Sequence, residues 1–460
     1  MRSHLTIAER ALAPALASLC LAVMTAMAGC EAERPAENYH AGRRQPKAGP
    51  GSPDLGAGGS TAPAPGVGGI VAGSAGTMAQ GGAVGSAAES PCGPPPLTMA
   101  SGAFSREALR RAAASCATWH YCEFAAAASG LESAVSHYRD DPSTEHLTTA
   151  RRAWRRAMET WSEAELFQFG PAASASEGAG KDIYQGQGLR NLIHAWPATA
   201  RCRVEEQIVE RGYAEHGMDS VLVSGRGLFA VEYGLFATTQ DTDCATSSRT
   251  AELWADLDEA ELRARRIDYA VAVSRDLREL GESLHAAWQP SGGDFTSTFV
   301  SANGYPSEQE ALNVLAWAMM YVEKEIKDWK LGIPAGYTLT APVSGPETPF
   351  AGTGTENLEA NLRGFQDLFQ GCGADGQGLG FDDWLEAAGH GALASDIVAA
   401  TGSARRALAS LPPLHEASKA ELEESYTAIK ALTDLLKNEL LGAGSPLNLK
   451  LPATVEGDTD

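Results

Sequence analysis

Ser143 to Phe169 reads STEHLTTARRAWRRAMETWSEAELFQF. Trp154 and Trp161 stand seven positions apart in it, two helical turns, so both indoles fall on one face. Pro142 precedes the stretch, where a fixed φ and a missing N–H suit a helix entry. The segment predicts a long amphipathic helix with an aromatic seam, and such a seam needs other helices to cover it.

The neighbouring segments carry the same texture. Arg106 to Ala134 has apolar residues at helical spacing, and Val204 to Tyr213 and Val221 to Phe236 follow. Glu252 to Trp288 reads as one long helix or two. Ser307-x-x-Glu310 is a capping box that opens a helix running to about Trp329, with Pro334 and Gly336 as its stop. Asn357 to Phe369, Phe381 to Leu408 and Leu414 to Leu441 complete the set. Strand-like alternation is nearly absent, so the expected class is all-α. The polar stretch Thr238 to Thr250 divides the elements into two groups, which suggests a pair of bundles.

Upstream the composition changes. Arg2, His4 and Arg10 precede an uncharged run, Ala11 to Ala26, too short for a comfortable membrane span. Met27-Ala28-Gly29-Cys30 then has the form of a lipobox, so residues 1–30 are expected to be a lipoprotein signal with Cys30 lipidated. An ordinary secretory signal with a chance cysteine is the alternative. Acyl chains on Cys30 hold a protein on a membrane by burying methylenes, each contributing about 0.8 kcal/mol. Glu31 rather than aspartate follows, which favours the outer membrane over retention at the inner one. Residues 31–97 are expected to form a disordered tether. From Gly49 to Ala103 the chain is nearly all small residues and proline, with Asp54 and Glu89 the only charges. Such a stretch buries too little apolar surface to offset its ordering entropy, and as a flexible coil it spans on the order of 45 Å. Residues 98–460 then form the folded domain.

The 460 residues carry a formal charge of -22 with no long basic stretch, which excludes nucleic acid as the expected partner. With Cys20 lost in the signal and Cys30 lipidated, six cysteines remain: Cys92, Cys116, Cys122, Cys202, Cys244 and Cys372. An even number in an oxidising compartment suggests three disulfides, and Cys202 with Cys244 is the preferred pair. No C-x-x-C pair points to a zinc ribbon or a thioredoxin-like site.

Several stretches, taken in order, resemble the imelysin family. Trp161 to Pro171, WSEAELFQFGP, matches a family segment at Glu165, Phe167 and Phe169, with Gln168 where an arginine is usual. Leu189 to Pro197, LRNLIHAWP, is close to N-x-x-x-A-W-P. Gly227 to Phe236, GLFAVEYGLF, resembles G-x-H-x-x-E-[YF]-L-L at Gly227, Glu232 and Tyr233, while Phe229 stands at the histidine position. Trp329-Lys330-Leu331 to Pro334, Glu347 to Gly364 with Thr355 and Asn361, and the ending Glu456-Gly457-Asp458 continue the likeness. It covers roughly 104–458 and implies two packed four-helix bundles. It also implies an iron-linked envelope role, in a family some of whose members were once classed as metallopeptidases.

In G-x-H-x-x-E, histidine and glutamate share one helix face and can share a metal. A hydrolytic zinc site needs about three protein ligands and one open position. Phenylalanine donates nothing, so Phe229 leaves Glu232 as the motif's sole donor and puts peptidase activity and family-type metal binding in doubt together. Glu232 lies in an apolar run and is expected to be buried with a partner; Arg190 and Arg226 are the candidates for an ion pair. Glu165 has the same ambiguity between ion pair and metal ligand. His120-x-x-Glu123 repeats the H-x-x-E spacing, and His216 with Asp219 precedes the motif, but both are weaker metal candidates; His194 reads as a packed or hydrogen-bonded histidine. Trp154, Trp161, Trp196 and Phe229 read as core rather than as a haem-stacking box. There is no H-E-x-x-H, P-loop or G-x-S-x-G, and Ser224-Gly225-Arg226-Gly227 reads as a helix-entry turn.

The expected function is therefore a non-catalytic, membrane-anchored lipoprotein acting in iron or haem uptake beside an outer-membrane receptor. Its ligand would be iron, calcium, zinc or haem. A metallopeptidase with a non-standard metal site and a tethered protein-interaction module are the alternatives.

Overall fold

The computed structural model describes residues 90–97, 103–173, 186–338, 345–373 and 376–452. The signal, Cys30, the tether up to residue 89 and the terminal Glu456-Gly457-Asp458 lie outside them. Among the described residues the regular elements are all helical. Among these residues no helix is long and apolar enough to cross a membrane.

The first bundle is built from α1 (Arg106–Asp140), α2 (Thr144–Ala164), α4 (Gly227–Phe236) and α5 (Glu259–Trp288), with α3 (Arg201–Glu210) beside it. α1 packs along both α2 and α5, and α5 along α4. The second bundle contains a π-helical segment, Val322–Leu331, which the chain reaches through α6 (Glu308–Ala318). α7 (Gly354–Gln370), α8 (Gly391–Ala409) and α9 (Lys419–Asp434) complete it. α2 and α7 pack together and join the two bundles.

The sequence explains the helix ends. Ser105, Ser143, Asp258, Ser307 and Ser418 each accept a backbone N–H from the first turn of the helix they open. Ser418 and Glu421 form the reciprocal capping box. α2 stops at Ala164 rather than at Phe169, because the chain must turn at Gly170, with φ of 62°, and Pro171. The 252–288 region is two helices, Arg249–Ala255 and α5, separated where Asp258 caps the second.

The seam between bundles differs from the one expected at Thr238 to Thr250. α5 follows that polar stretch yet belongs to the first bundle, since it carries the face that covers α1. The chain crosses between the bundles after Trp288. The aromatic seam of α2 is core as read: Trp161 packs on Phe124 at 4.9 Å, and Trp154 donates its indole N–H to the Leu228 carbonyl at 2.9 Å.

The six cysteines among the described residues all pair. Cys202–Cys244 forms as expected, and Cys92–Cys122 and Cys116–Cys372 complete the set. Cys92–Cys122, with Trp119 donating to the Gly93 carbonyl, ties residues 90–97 to α1.

Candidate functional site

The stretches that carry the family resemblance come from distant parts of the chain, and five of them meet at the junction of the two bundles. Glu165 caps the C-terminal end of α2. His194 follows the short helix Leu189–Ile193. Lys330 lies on the π segment, Glu347 precedes α7, and Asn357 and Asn361 lie on α7. Gly364, one turn further, lets the two helices approach: a Cβ there would stand 2.3 Å from the Glu163 carbonyl oxygen.

These groups form one buried network. Lys330 Nζ contacts Glu165 Oε1, lies 2.8 Å from Glu347 Oε1 and donates to Asn361 Oδ1 at 2.9 Å. Asn361 Nδ2 donates to Glu165 Oε1 at 2.8 Å and to the Ser162 carbonyl at 2.6 Å. His194 Nε2 is 3.0 Å from Glu347 Oε1, and Asn357 Nδ2 donates to Glu347 Oε2 at 2.9 Å. Burial opposes ionisation of Glu347, but the Lys330 ammonium and the His194 ring outweigh it and hold the carboxyl well below its ordinary value. Burial likewise opposes the charge on Lys330, and the carboxylates of Glu165 and Glu347 outweigh it and keep the ammonium protonated. The cation that balances these acids is thus part of the chain itself.

Glu232 sits in α4, 1% exposed. Neither expected arginine pairs with it. Arg226 forms a bidentate pair with Asp276, at 2.6 and 3.2 Å, and Arg190 lies over the Tyr321 ring with Asn191 and the Trp196 carbonyl as hydrogen-bond partners. Instead the backbone N–H groups of Phe350 and Ala351 donate to Glu232 Oε1 at 2.9 and 2.8 Å. Desolvation dominates these two bonds, aided by the nearby Glu347 charge, and pushes the carboxyl up to about 8. At neutral pH it is mostly a neutral acid. Gly227, with φ of 75°, starts α4 hard against the preceding segment, where a Cβ would be 2.4 Å from the Ile193 carbonyl oxygen. Phe229 is buried, 6% exposed, with its ring 6.2 Å from that of Phe350.

The donor set does not fit a family-type metal centre. Phe229 offers no lone pair, Glu232 Oε1 is already taken by two backbone N–H groups, and Lys330 stands between Glu165 and Glu347. Glu165 is therefore an ion-pair residue. Several buried atoms at this junction have no hydrogen bond among the described residues, including Glu165 Oε2, Glu232 Oε2, His194 Nδ1 and Ser162 Oγ, the kind of atom a water or a small polar guest addresses.

The weaker candidates separate. His216 is exposed and faces Glu215 at 3.7 Å, and Asp219 is exposed. His120 does not act with Glu123. Glu123 takes Ser90 and Arg156, while His120 Nε2 is 3.0 Å from Asp367 Oδ2. Lys330, Glu347, Asn357 and Asn361 are the residues that single-site reading passed over. Their signal was available: every resemblance segment in the described residues brings a polar side chain to this junction.

Comparison with known proteins agrees with the architecture. Residues 117–440 match the family model described as Imelysin (Peptidase_M75). Iron-regulated protein A of Synechococcus elongatus is 24% identical over 333 residues, 70% of this chain and 82% of that protein. Among crystal structures, a protein of Parabacteroides distasonis described as an iron-regulated protein A precursor superposes with a TM-score of 0.55 at 15% identity, covering 74% of this chain and 96% of that one. An imelysin-like protein of Psychrobacter arcticus gives 0.54 at 16% identity, covering 77% and 99%.

Proposed function

Because the chain belongs to the imelysin family, we propose that it is a non-catalytic envelope lipoprotein serving iron or haem acquisition. One observation carries the non-catalytic reading: the signature helix offers a benzyl ring and a carboxyl whose Oε1 is taken by two backbone N–H groups, where a hydrolytic metal would need free anionic and imidazole donors. The iron link rests on the Synechococcus relative, named iron-regulated protein A. The anchor rests on Cys30 in the lipobox, and the small-residue stretch that follows has the composition of a spacer. The partner that fits such a tethered domain is an outer-membrane uptake receptor.

Growth under iron limitation and membrane fractionation test this together. The full chain is expected in the membrane fraction, and the Cys30→Ser chain in the soluble one. A deletion strain is expected to grow slowly in chelator-treated medium and to recover with the full chain, Glu232→Gln included. Undiminished growth of the deletion strain removes the iron role. Chelator-sensitive cleavage of casein, lost in Glu232→Gln, removes the non-catalytic reading.

A further inference from the structure

A second cluster lies away from the junction network. Cys116 and His120 are four apart on α1, so they share a face. Asp367 lies on α7, and Cys372 follows that helix after the turn at Gly371, whose φ is 80°. Both sulfurs, one imidazole nitrogen and one Asp367 carboxylate oxygen all lie within 4.8 Å of one another. His120 is 1% exposed, and its ring is wedged between Trp119 and Phe167, with centroids at 4.9 and 4.8 Å. Asp367 is 24% exposed and gives the cluster an edge open to solvent. In the oxidised chain the two sulfurs are joined as the Cys116–Cys372 disulfide.

We infer that reduction of Cys116–Cys372 creates a binding site for a thiophilic divalent cation, of which zinc is the prime example, held by Cys116, Cys372, His120 and Asp367. Two thiolates, an imidazole and a carboxylate are a donor set zinc accepts, with bonds of about 2.0–2.3 Å that fit a cluster of this size. Calcium and magnesium, which take oxygen donors, do not suit it. The chemistry balances with a dithiol as reductant. The dithiol gives two electrons and two protons to the S–S bond and leaves as its own disulfide, and Cys116 and Cys372 become thiols. Metal capture then releases both thiol protons to solvent. His120 offers Nε2 with its proton on Nδ1, exchanging its hydrogen bond to Asp367 for the metal. The cation takes over the link between α1 and the end of α7 that the disulfide made.

The test uses the full chain, reduced with a phosphine, loaded with zinc and freed of excess metal by gel filtration before elemental analysis. The reduced chain is expected to retain one zinc more than a Cys116→Ser/Cys372→Ser chain treated identically, since both keep every other cysteine. His120→Ala is expected to bind the metal about tenfold or more weakly. Cobalt in place of zinc is expected to show thiolate charge-transfer and tetrahedral ligand-field bands that the double-serine chain lacks. Equal zinc in the reduced parent and the double-serine chain overturns the site. So does a reduced parent that keeps its helical circular dichroism yet retains no zinc. If reduction alone unfolds the chain, zinc-driven recovery of the helical signal supports the site, and failure to recover overturns it.

Discussion

Lys330 and Glu347 meet as a fully buried ion pair, Nζ to Oε1 at 2.8 Å, with each side chain 1% exposed. They stand seventeen positions apart in the chain, and Glu165 and His194 reach the same point from the other bundle and its neighbouring loop. A buried pair of this kind adds little net stability compared with apolar groups of the same shape, but removing one partner leaves an uncompensated charge. The network therefore acts as a lock on how the two bundles register.

Lys330→Met is expected to lower stability by about 3–5 kcal/mol, because Glu165 and Glu347 stay buried without their cation. Thermal and denaturant unfolding measure it. Adding Glu165→Gln and Glu347→Gln to the same chain is expected to recover most of the loss. A Lys330→Met chain as stable as the parent contradicts the lock.

Glu232 gives a pH signature. Its folded pKa of about 8 lies above the ordinary 4.5, so between those values the folded chain holds a proton that the unfolded chain has released. The stability this carboxyl contributes is complete below 4.5 and drains away as pH rises through 8. Burial shifts Asp382 and Glu325 upward as well, each to about 7, and both add to the same decline. Glu232→Gln is expected to flatten the fall in unfolding free energy across this window, a slope of at most about 1.4 kcal/mol per pH unit from one group. An unaltered slope in the variant contradicts the assignment.

The disulfides differ in what they close. Cys116–Cys372 spans 256 residues and Cys92–Cys122 spans 30. On chain entropy alone, Cys116→Ser/Cys372→Ser is expected to cost about 2 kcal/mol more than Cys92→Ser/Cys122→Ser. Comparing the two double variants in denaturant, under non-reducing conditions, checks the order. The reverse order contradicts the chain-entropy account.

Gly364→Ala is expected to destabilise by about 1–3 kcal/mol, since a methyl there meets the Glu163 carbonyl at 2.3 Å and must push α2 from α7. Gly389→Ala, where a Cβ meets nothing within 4 Å but φ is 83°, separates backbone strain from the steric cost of close helix packing. A smaller loss at Gly364 than at Gly389 contradicts the close-approach argument.

Parts of the site were readable in one dimension. Glu232 in an apolar run had to be buried, and Glu165 had to find a charge or a donor. The choice of partner was not readable, because any cation in the chain satisfies that need. Arg226 was near in sequence, yet it is claimed by Asp276, and Glu232 is met by backbone N–H groups more than a hundred residues away. His120 shows the same limit. Its H-x-x-E spacing pointed to Glu123, but the side chain it meets is Asp367 on another helix.

The sequence by itself determined the all-helical class, the helix starts at Ser143 and Ser307 and the aromatic seam of α2, because periodicity and caps are local properties of the chain. Tertiary structure alone decided where the bundles divide, which ion balances which acid, and that Cys116, His120, Asp367 and Cys372 share one corner. The physical reason is that buried charges and thiols take whichever partner the packing of distant helices brings within a few ångströms. That proximity is set by the sum of apolar contacts and has no local signature.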